Sequence, residues 1–316
     1  MKHLFIIDPL SEIFKKILND SSTLLMQEGL KRGHEIYVST LDNLLLTSQF
    51  LKVKCQKVLA INDQSVEFES AYQLEDWQDQ FAEAFQVIWL RKNPPFDETY
   101  LMHLALFDGL TGSKVFFINN PQSIRALNEK LTILNFPNDI IETIVTMKTS
   151  EIHDFWQQHK KIVVKGLTGF GGDSVILIED WKKDHPNLEK LSQNGKRFLM
   201  VQKFIENVVE GDKRVTVVNG KIIGALVRVP PENSFIAYTG GGATVHQTTL
   251  SIEETKLAEK VAKFLKEHGI FWAGIDLIDG NLSEINITSP SILAAANRKF
   301  GLNLENKIWN ELEFHL

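Results

Sequence analysis

The sequence KIVVKGLTGFGGDS, residues 161–174, joins a short apolar β-strand to a loop with four glycines. β-Branched residues favour an extended conformation for 161–165. The loop glycines let backbone N–H groups approach an anion, and Lys165 at the strand end can neutralise a phosphate. The pattern therefore predicts a flap that covers phosphates, with a plain hairpin tip as the alternative. These glycines are Gly166, Gly169, Gly171 and Gly172.

Length and composition are those of a globular protein with about two domains. The chain has 316 residues, of which 43% are hydrophobic and 23% charged, which is too apolar for a disordered protein. A net charge of −6 argues against a general polyanion binder, and the sequence lacks a run of about 20 apolar residues that could span a bilayer. Cys55 is the single cysteine, so no internal disulfide can form. We therefore expect a cytoplasmic protein that binds neither nucleic acid nor membrane.

Short apolar strands alternate with helical segments over the first 120 residues. Strands are predicted at 4–7, 35–39, 87–90 and 115–118, with a helix between 20 and 33. This alternation is typical of a parallel sheet that is covered on both faces and binds ligands at the carboxyl ends of its strands. The sequence predicts an open parallel α/β domain here.

Hairpin signals replace this alternation after residue 120. A helix is predicted at 150–160 and a closing helix from about 291, and strands are predicted at 161–165, 198–204, 214–218, 221–229 and 274–278. Asn219-Gly220 and Asp279-Gly280 are typical of tight hairpin turns. We therefore expect an antiparallel sheet in this half of the chain.

A metal site is predicted from Asp276, Glu284 and Asn286. The Asp279-Gly280 turn should bring residues 282–286 back alongside 274–278. Glu284 and Asn286 differ by two positions and therefore share a face of their strand. If the register places Asp276 opposite them, three oxygen-bearing side chains converge as Mg²⁺ prefers. The alternative is a solvated face beside an Asp276 that is satisfied by buried hydrogen bonds.

Two arginines are candidates for binding a phosphoryl group. Asp212 and Arg214 share a face of a predicted strand, and Arg228 lies near the end of the next strand. Two guanidinium groups and Mg²⁺ are suited to stabilise negative charge that develops on a phosphoryl group. The alternative is an ordinary surface salt bridge between Asp212 and Arg214.

Taken in order, six segments resemble the ATP-grasp superfamily and, within it, the prokaryotic glutathione synthetases. The resemblance runs through most of the chain, and the last two segments are specific in combination. They are RKNPPFD (91–97), NNPQSIR (119–125), NEKL (128–131), the glycine flap, GDKRV (211–215) and EINITSP (284–290). The resemblance implies an α/β protein of the ATP-grasp fold, with an N-terminal open parallel α/β domain at 1–120. A glycine-rich lid subdomain at 121–200 and a C-terminal catalytic subdomain at 201–316 would follow.

The resemblance also implies an activity. ATP phosphorylates the carboxylate of γ-glutamylcysteine, and the amine of glycine attacks the acyl phosphate to give glutathione, ADP and phosphate. ATP and Mg²⁺, or Mn²⁺ in its place, are the implied cofactors, and a homotetramer is the implied assembly. Two alternatives stay open, namely a ligase of the same superfamily with another acyl substrate or amine acceptor, and a non-catalytic ATP-binding protein of this fold.

Site roles follow from the same resemblance, residue by residue. Lys130 and Lys165 would hold ATP phosphates, and Asp212 would contact the ribose. Arg214 and Arg228 would stabilise the acyl phosphate and the tetrahedral species. Mg²⁺ would bind Asp276, Glu284 and Asn286. The adenine would lie against Gln202, Lys203, Phe204 and Ile205, and the peptide substrate would face Arg91, Thr288 and Ser289.

The chain departs from the family pattern in a loop and at two single positions. Family members carry Arg-x-Asn shortly before a Gly-Gly pair, whereas residues 230–243 read PPENSFIAYTGGGA. Gly166 stands where proline is common, and Asn120 where lysine is frequent. The family uses the loop to bind phosphate and substrate, so these differences concern the amine acceptor more than ATP.

Overall fold

The computed structural model describes residues 1–110, 112–169, 172 and 174–316. The first ten strands are β1 (Lys2–Ile6), β2 (Glu35–Ser39), β3 (Leu44–Leu46), β4 (Leu51–Ile61), β5 (Tyr72–Leu74), β6 (Gln78–Phe81), β7 (Val87–Leu90), β8 (Phe116–Ile118), β9 (Thr143–Thr146) and β10 (Ile162–Gly166). The later strands are β11 (Val175–Ile178), β12 (Leu199–Lys203), β13 (Asp212–Val218), β14 (Lys221–Val229), β15 (Thr244–Gln247), β16 (Trp272–Ile278) and β17 (Asn281–Asn286). The helices are α1 (Leu10–Phe14), α2 (Ser21–Lys31), α3 (Phe68–Ala71), α4 (Glu98–Leu106), α5 (Pro121–Ala126), α6 (Thr149–His159), α7 (Trp181–Ser192), α8 (Ile252–Glu267), α9 (Leu293–Phe300) and α10 (Leu304–His315).

The N-terminal sheet has a parallel centre and an antiparallel extension. Its strand order is β3-β4-β2-β1-β7-β8, with β5 and β6 also paired to β4. The strands β2, β1, β7 and β8 run parallel to one another, which confirms the predicted parallel domain. The extension over 44–81 was not predicted, and it joins through antiparallel pairing of β4 with β2.

The other two sheets are antiparallel. One has the order β11-β10-β12-β9 and the other the order β15-β14-β13-β16-β17. The predicted turns close the hairpins β13–β14 and β16–β17, and their residues Asn219, Gly220, Asp279 and Gly280 all have positive φ. That conformation is what the tight turns of twisted hairpins require. The antiparallel sheet expected from the sequence is therefore confirmed.

Apolar cores attach the helices to the sheets. The helices α6 and α7 cover the β9–β12 sheet around Ile152, Val164 and Leu188. The helix α8 covers the β13–β17 sheet through Leu257, Val261 and Leu265. A capping box at Ser251 fixes the start of α8, and the Asp279-Gly280 turn joins β16 to β17. The site-bearing faces of the two antiparallel sheets are thereby left free to face a cleft.

The C-terminal helices pack on the N-terminal sheet. Trp309 of α10 donates to the carbonyl of Leu25 in α2 over 2.9 Å, and it lies in the same core as Phe5 and Trp89. Asn119, just after β8, donates to the carbonyls of Trp272 and Ile287 over 2.7 Å each. These contacts fix the N-terminal sheet against the last two strands.

Candidate active site

A cleft of about 730 Å³ lies between the two antiparallel sheets and reaches the N-terminal domain. Of the residues selected from the sequence, Lys130 and Gly169 are outside its lining, although Lys130 pairs with Glu284 of the lining and donates to Gly169. Gly171 lies outside the described residues. The selected residues that line the cleft are Arg91, Lys165, Gly172, Gln202, Lys203, Phe204, Ile205, Asp212, Arg214, Arg228, Asp276, Glu284, Asn286, Thr288 and Ser289. The fold thus brings together residues that are up to about 200 positions apart in the sequence.

Four buried charges form a network at the floor of the cleft. Arg228 donates twice to Asp212, over 2.6 and 2.7 Å, and its Nη2 also lies 3.0 Å from Asp276 Oδ2. Arg214 donates to both carboxylate oxygens of Asp276. Strand register explains this pattern, because Asp212 lies opposite Arg228 and Arg214 lies opposite Asp276. The alternative prediction of a surface salt bridge between Asp212 and Arg214 is therefore wrong, because each of these residues is buried and pairs with a residue on a neighbouring strand.

The pKa values of the two aspartates differ because the arginines are shared unequally. Burial alone would raise the pKa of Asp276, but Arg214 and Arg228 outweigh it and hold that pKa well below its usual range. Burial raises the pKa of Asp212, and Arg228 opposes this only in part. Burial also opposes the charge of Arg228, yet Asp276 and Asp212 raise its pKa. The network therefore stays ionised around Asp276.

The three predicted metal ligands converge, because the register of β16 and β17 places Asp276 beside Glu284 and Asn286. Asp276 lies opposite Glu284, and Asn286 lies opposite Gly274 one pair along. Asn286 donates its amide hydrogens to Asp276 over 3.0 Å and to the carbonyl of Gly274 over 3.4 Å, so its amide oxygen is the end that can bind a cation. Two carboxylates and an amide oxygen fit Mg²⁺.

The proposed metal site does not consist of acidic and histidine side chains alone. Among the described residues, there is no cluster of three His, Cys, Asp or Glu side chains that could hold a metal ion. The predicted set depends on Asn286 as its third ligand. Asp276 is buried and fully paired, as the alternative expected, but Glu284 and Asn286 lie beside it in the cleft rather than on a solvated face.

Two lysines lie beside Glu284. Lys130 Nζ is 3.1 Å from Glu284 Oε1 and donates to the carbonyl of Gly169 over 2.8 Å. Lys165 donates to the hydroxyl of Ser283 over 3.3 Å. Burial lowers the pKa of Lys165, although the charge of Glu284 opposes this shift. An anion in the cleft would therefore gain two cationic partners that the protein itself leaves only partly compensated.

An apolar slot lies at the β10–β12 side of the cleft. Val163, Val175 and Phe204 line it, and Gln202 is almost fully buried there with its amide oxygen unpartnered among the described residues. The ring of Phe204 packs edge-on against Phe235, with centroids 5.9 Å apart. Apolar walls with a few polar groups are typical of a site for a planar ligand.

Arg91 and the turn at Thr288-Ser289 meet at the N-terminal end of the cleft. Arg91 donates to the hydroxyl of Ser22 over 3.2 Å and to the carbonyl of Pro290 over 2.8 Å. Ser289 donates to the carbonyl of Arg91 over 3.3 Å. The turn therefore holds Arg91 and also faces the cleft beside it.

Two features of the site were not selected from the sequence. Glu129 is partly buried and accepts hydrogen bonds from Ile287 N, Thr288 N and Thr288 Oγ1, at 2.7, 2.9 and 2.9 Å. Burial raises its pKa. Residues 235–240 line the cleft with largely apolar side chains. Glu129 lies in the NEKL segment that resembles the family, so the sequence could have indicated it as a site residue. Its partners lie about 160 positions later in the chain, and only the fold identifies them.

Solved structures similar to this chain share one fold. The crystal structure of D-cycloserine synthetase DcsG matches 98% of this chain and 99% of its own, with a TM-score of 0.65 and 14% sequence identity. Other similar structures are a RiPP-associated ATP-grasp ligase of Chryseobacterium gregarium and a RimK domain protein ATP-grasp from Sphaerobacter thermophilus, with TM-scores of 0.62 and 0.59 and 16% and 17% sequence identity. This likeness defines the fold class of the protein, which is the ATP-grasp fold.

Sequence comparison narrows the class to a family. Residues 1–125 match the N-terminal domain and residues 129–301 the ATP-grasp domain of prokaryotic glutathione synthetase. The chain belongs to the prokaryotic glutathione synthetase family. A glutathione synthetase of Prochlorococcus marinus subsp. pastoris is 34% identical over 99% of both chains. One of Vibrio vulnificus (strain CMCP6) is 33% identical over 98% of this chain and 97% of its own.

None of the helices in the described residues is long and apolar enough to cross a membrane.

Proposed function

We propose that this protein is an ATP-dependent glutathione synthetase that joins γ-glutamylcysteine to glycine. The observation that carries the proposal is the buried network of Arg214, Asp276, Arg228 and Asp212 beside Glu284, within a cleft of a chain of this family. Buried charges are costly unless they are used or paired. A network that offers two guanidinium groups to a cleft is suited to a reaction that builds up phosphoryl charge.

In this proposal ATP lies between the two antiparallel sheets. The slot formed by Gln202, Lys203, Phe204 and Ile205 takes the adenine, and Asp212 takes a ribose hydroxyl. Lys130 and Lys165 bind the phosphates, with the backbone of Gly169 and Gly172 beside them. This assignment uses the lysines whose charges the protein leaves only partly compensated. The proposed flap covers the phosphates and excludes water.

Asp276, Glu284 and Asn286 would hold Mg²⁺, and Mn²⁺ suits the same oxygen ligands. When bound, the cation neutralises phosphate charge and favours displacement at the terminal phosphorus. Glu284 would then hold the cation in place of its ion pair with Lys130, and Asp276 would hold it beside Arg214 and Arg228. Both arrangements keep charge balanced inside the cleft.

The reaction proceeds in two displacements. A carboxylate oxygen of γ-glutamylcysteine forms a bond to the terminal phosphorus of ATP while the bond to ADP breaks. The amine of glycine then forms a bond to the acyl carbon, loses a proton, and expels phosphate. Arg214 and Arg228 stabilise the charge on the transferred phosphoryl group and on the tetrahedral species. No nucleophile from the protein is needed, because positioning and charge neutralisation supply the catalysis.

One observation supports a second candidate function, in which the amine acceptor is not glycine. Phe235, Ile236 and Tyr238 line the cleft in the loop where family members carry Arg-x-Asn. An apolar wall gives a carboxylate-bearing acceptor such as glycine fewer partners than an arginine would. A ligase of the same kind with a different amine acceptor is therefore the second candidate.

The test is ADP release by the purified protein with MgATP and γ-glutamylcysteine, with and without glycine, while mass spectrometry detects the product. Glycine-dependent ADP release that matches glutathione formation supports the synthetase. Release with another amine from an amino-acid panel favours the second candidate. Binding of MgATP without ADP release across the panel rejects both and leaves a non-catalytic ATP-binding protein.

The domain limits, the assembly and the location are further parts of the proposal. We place the substrate domain at 1–120, the lid subdomain at 121–200 and the catalytic subdomain at 201–316. A homotetramer in the cytoplasm is the form in which we expect the enzyme to act. Sedimentation equilibrium and fractionation of cells test these two statements directly.

A further inference from the structure

A lysine packs on the ring of Phe204 from the side away from the cleft. Lys161 Nζ lies 4.1 Å from the centroid of this ring. Phe204 lines the cleft and Lys161 does not, so the ammonium group approaches the ring from behind. The negative face of an aromatic ring attracts a cation at such a distance. The proposed chemistry gives Lys161 no part, because the phosphates are assigned to Lys130 and Lys165.

Two carboxylates hold the ammonium group of Lys161 over the ring. Its Nζ lies 2.8 Å from Glu179 Oε1 and 3.2 Å from Glu206 Oε2. Hydrogen bonding to Glu179 raises the pKa of Lys161 above its ordinary value, so the group is charged at neutral pH. Both glutamates are exposed, and exposed ion pairs contribute little to the free energy of folding. Together they restrict where a flexible lysine can place its charge.

The ends of three neighbouring strands bring these residues together. Lys161 directly precedes β10, Glu179 directly follows β11, and Phe204 directly follows β12. The register of β10 with β11 and with β12 places all three residues at the same end of the sheet. Phe204 also donates its backbone N–H to the carbonyl of Lys161 over 3.1 Å. The contact between lysine and ring is therefore fixed by strand pairing as well as by charge.

The Phe204 ring is held before any ligand arrives. Phe235 packs against it at a centroid distance of 5.9 Å and an interplanar angle of 74°, and Lys161 covers it from behind. The part of the ring that lines the cleft is left for a ligand. A side chain that is already ordered costs less conformational entropy when the ligand binds. The ring can thus act as a preformed flat wall.

We infer that Lys161 is a positioning residue for the base of the nucleotide and that it acts through the ring of Phe204. Its ammonium group holds the ring in place, and the cleft side of the ring forms the wall on which the adenine lies. This inference rests on the proposed function, which places the adenine in the slot lined by Phe204. It adds a lysine that acts on the base, whereas the other lysines act on the phosphates.

Three variants isolate the contact. Lys161→Met keeps much of the length of the side chain and removes its charge, and Lys161→Arg keeps a cation that can pack on a ring. Lys160→Met is the matched control. Lys160 is the exposed neighbouring residue, and its Nζ lies over the ring of Trp156 at 5.5 Å, outside the cleft lining. The control therefore removes the same charge and the same kind of contact at a different ring.

Two ligands separate an effect on the base from a general attraction for phosphate. Both are titrated calorimetrically with Mg²⁺, one being a non-hydrolysable ATP analogue and the other tripolyphosphate, which has no base. Lys161→Met should raise the Kd of the ATP analogue by about 2- to 5-fold, the range for a partly exposed cation–π contact, and leave that of tripolyphosphate unchanged. Lys161→Arg should restore most of the affinity. Lys160→Met should alter neither Kd.

A second comparison shows whether Lys161 acts through Phe204. In a Phe204→Leu background the ring is absent, so Lys161→Met should cause no further loss of affinity for the ATP analogue. A loss of the same size in this background would overturn the inference. Equal weakening of both ligands by Lys161→Met would also overturn it, because the lysine would then be a general cation near the cleft.

Steady-state rates with γ-glutamylcysteine and glycine distinguish failure of this inference from failure of the proposed function. Lys161→Met should raise KM for ATP by the same factor and leave kcat and KM for γ-glutamylcysteine unchanged. Selective weakening of the ATP analogue without glutathione synthesis by the unmodified protein would reject the proposed function and keep the role of Lys161. Glutathione synthesis with an unchanged affinity for ATP in Lys161→Met would do the reverse.

Discussion

At the scale of single residues, the cleft is organised by charges that the protein pairs incompletely. Asp276 receives two arginines, whereas among the described residues Lys165 donates only to a serine hydroxyl and Arg91 Nη1 has no partner. Desolvated charges of this kind cost folding free energy. They are retained where a ligand supplies the missing partner, so substitutions here should affect ligand use more than folding.

Glu284→Gln tests the metal assignment. The change keeps the shape of the side chain and removes one negative charge from the proposed Mg²⁺ site, so we expect turnover at fixed Mg²⁺ to fall by more than about 10-fold. The Mg²⁺ concentration needed for half-maximal rate should rise. Steady-state rates over a Mg²⁺ titration measure both. Glu259→Gln on the exposed face of α8 is the control, and an unchanged Mg²⁺ dependence in folded Glu284→Gln would reject the assignment.

Lys165→Met tests the phosphate assignment. Burial lowers the pKa of Lys165, which means that the fold disfavours its charge. We therefore expect the urea midpoint of unfolding to stay close to that of the unmodified protein, while KM for ATP rises by about 10- to 100-fold. Lys190→Met, an exposed lysine on α7, is the control. Loss of stability with an unchanged KM would show that Lys165 is structural.

At the scale of elements, local turns were predictable and pairing between distant strands was not. Asn219-Gly220 and Asp279-Gly280 specify their hairpins because their residues accept positive φ. The pairing of Arg214 with Asp276 depends on β13 lying beside β16, some 60 residues later in the chain. Neighbouring sequence does not encode that register. The convergence of Asp276 with Glu284 was predictable because one hairpin contains both.

Gly274 shows how a strand position shapes a side chain on its neighbour. A Cβ at Gly274 would lie 2.9 Å from Arg214 Cδ and 3.0 Å from its Nη1. We expect Gly274→Ala to displace the Arg214 guanidinium and to lower kcat by about 100-fold, with a small change in the urea midpoint because a flexible side chain can give way. Kinetics and urea unfolding on one preparation check this. A normal kcat would show that the position of Arg214 is unimportant for the reaction.

At the scale of the whole molecule, the end of the chain completes the N-terminal domain. His3 of β1 is fully buried between Trp89, which donates to its Nδ1 over 3.2 Å, and Trp309 of α10, with ring centroids 4.8 Å apart. The sequence predicted a closing helix and could not say where it packs, because the apolar face of α10 fits any complementary surface. Tertiary contacts with α2 and β1 decide its place.

His3 should make the stability of the packing between β1 and α10 sensitive to acid. Burial, with the charge of His34, lowers the pKa of His3 to about 3 from its usual 6.5, so the unfolded chain binds a proton below about pH 6.5 and the folded protein does not. Stability is therefore present above about pH 6.5 and lost as the pH falls towards 3. At about pH 5 the free energy of unfolding is therefore about 2 kcal/mol lower than it is above about pH 6.5, as far as His3 contributes to it.

His3→Asn tests this effect, because asparagine keeps an acceptor for Trp89 and cannot be protonated. Between about pH 7.5 and about pH 5, the unfolding free energy of this variant should fall by about 2 kcal/mol less than that of the unmodified protein. Urea unfolding at both pH values measures the difference, in which the other titrating groups cancel. Equal losses in the two proteins would mean that His3 is already protonated in the fold and that acid acts elsewhere.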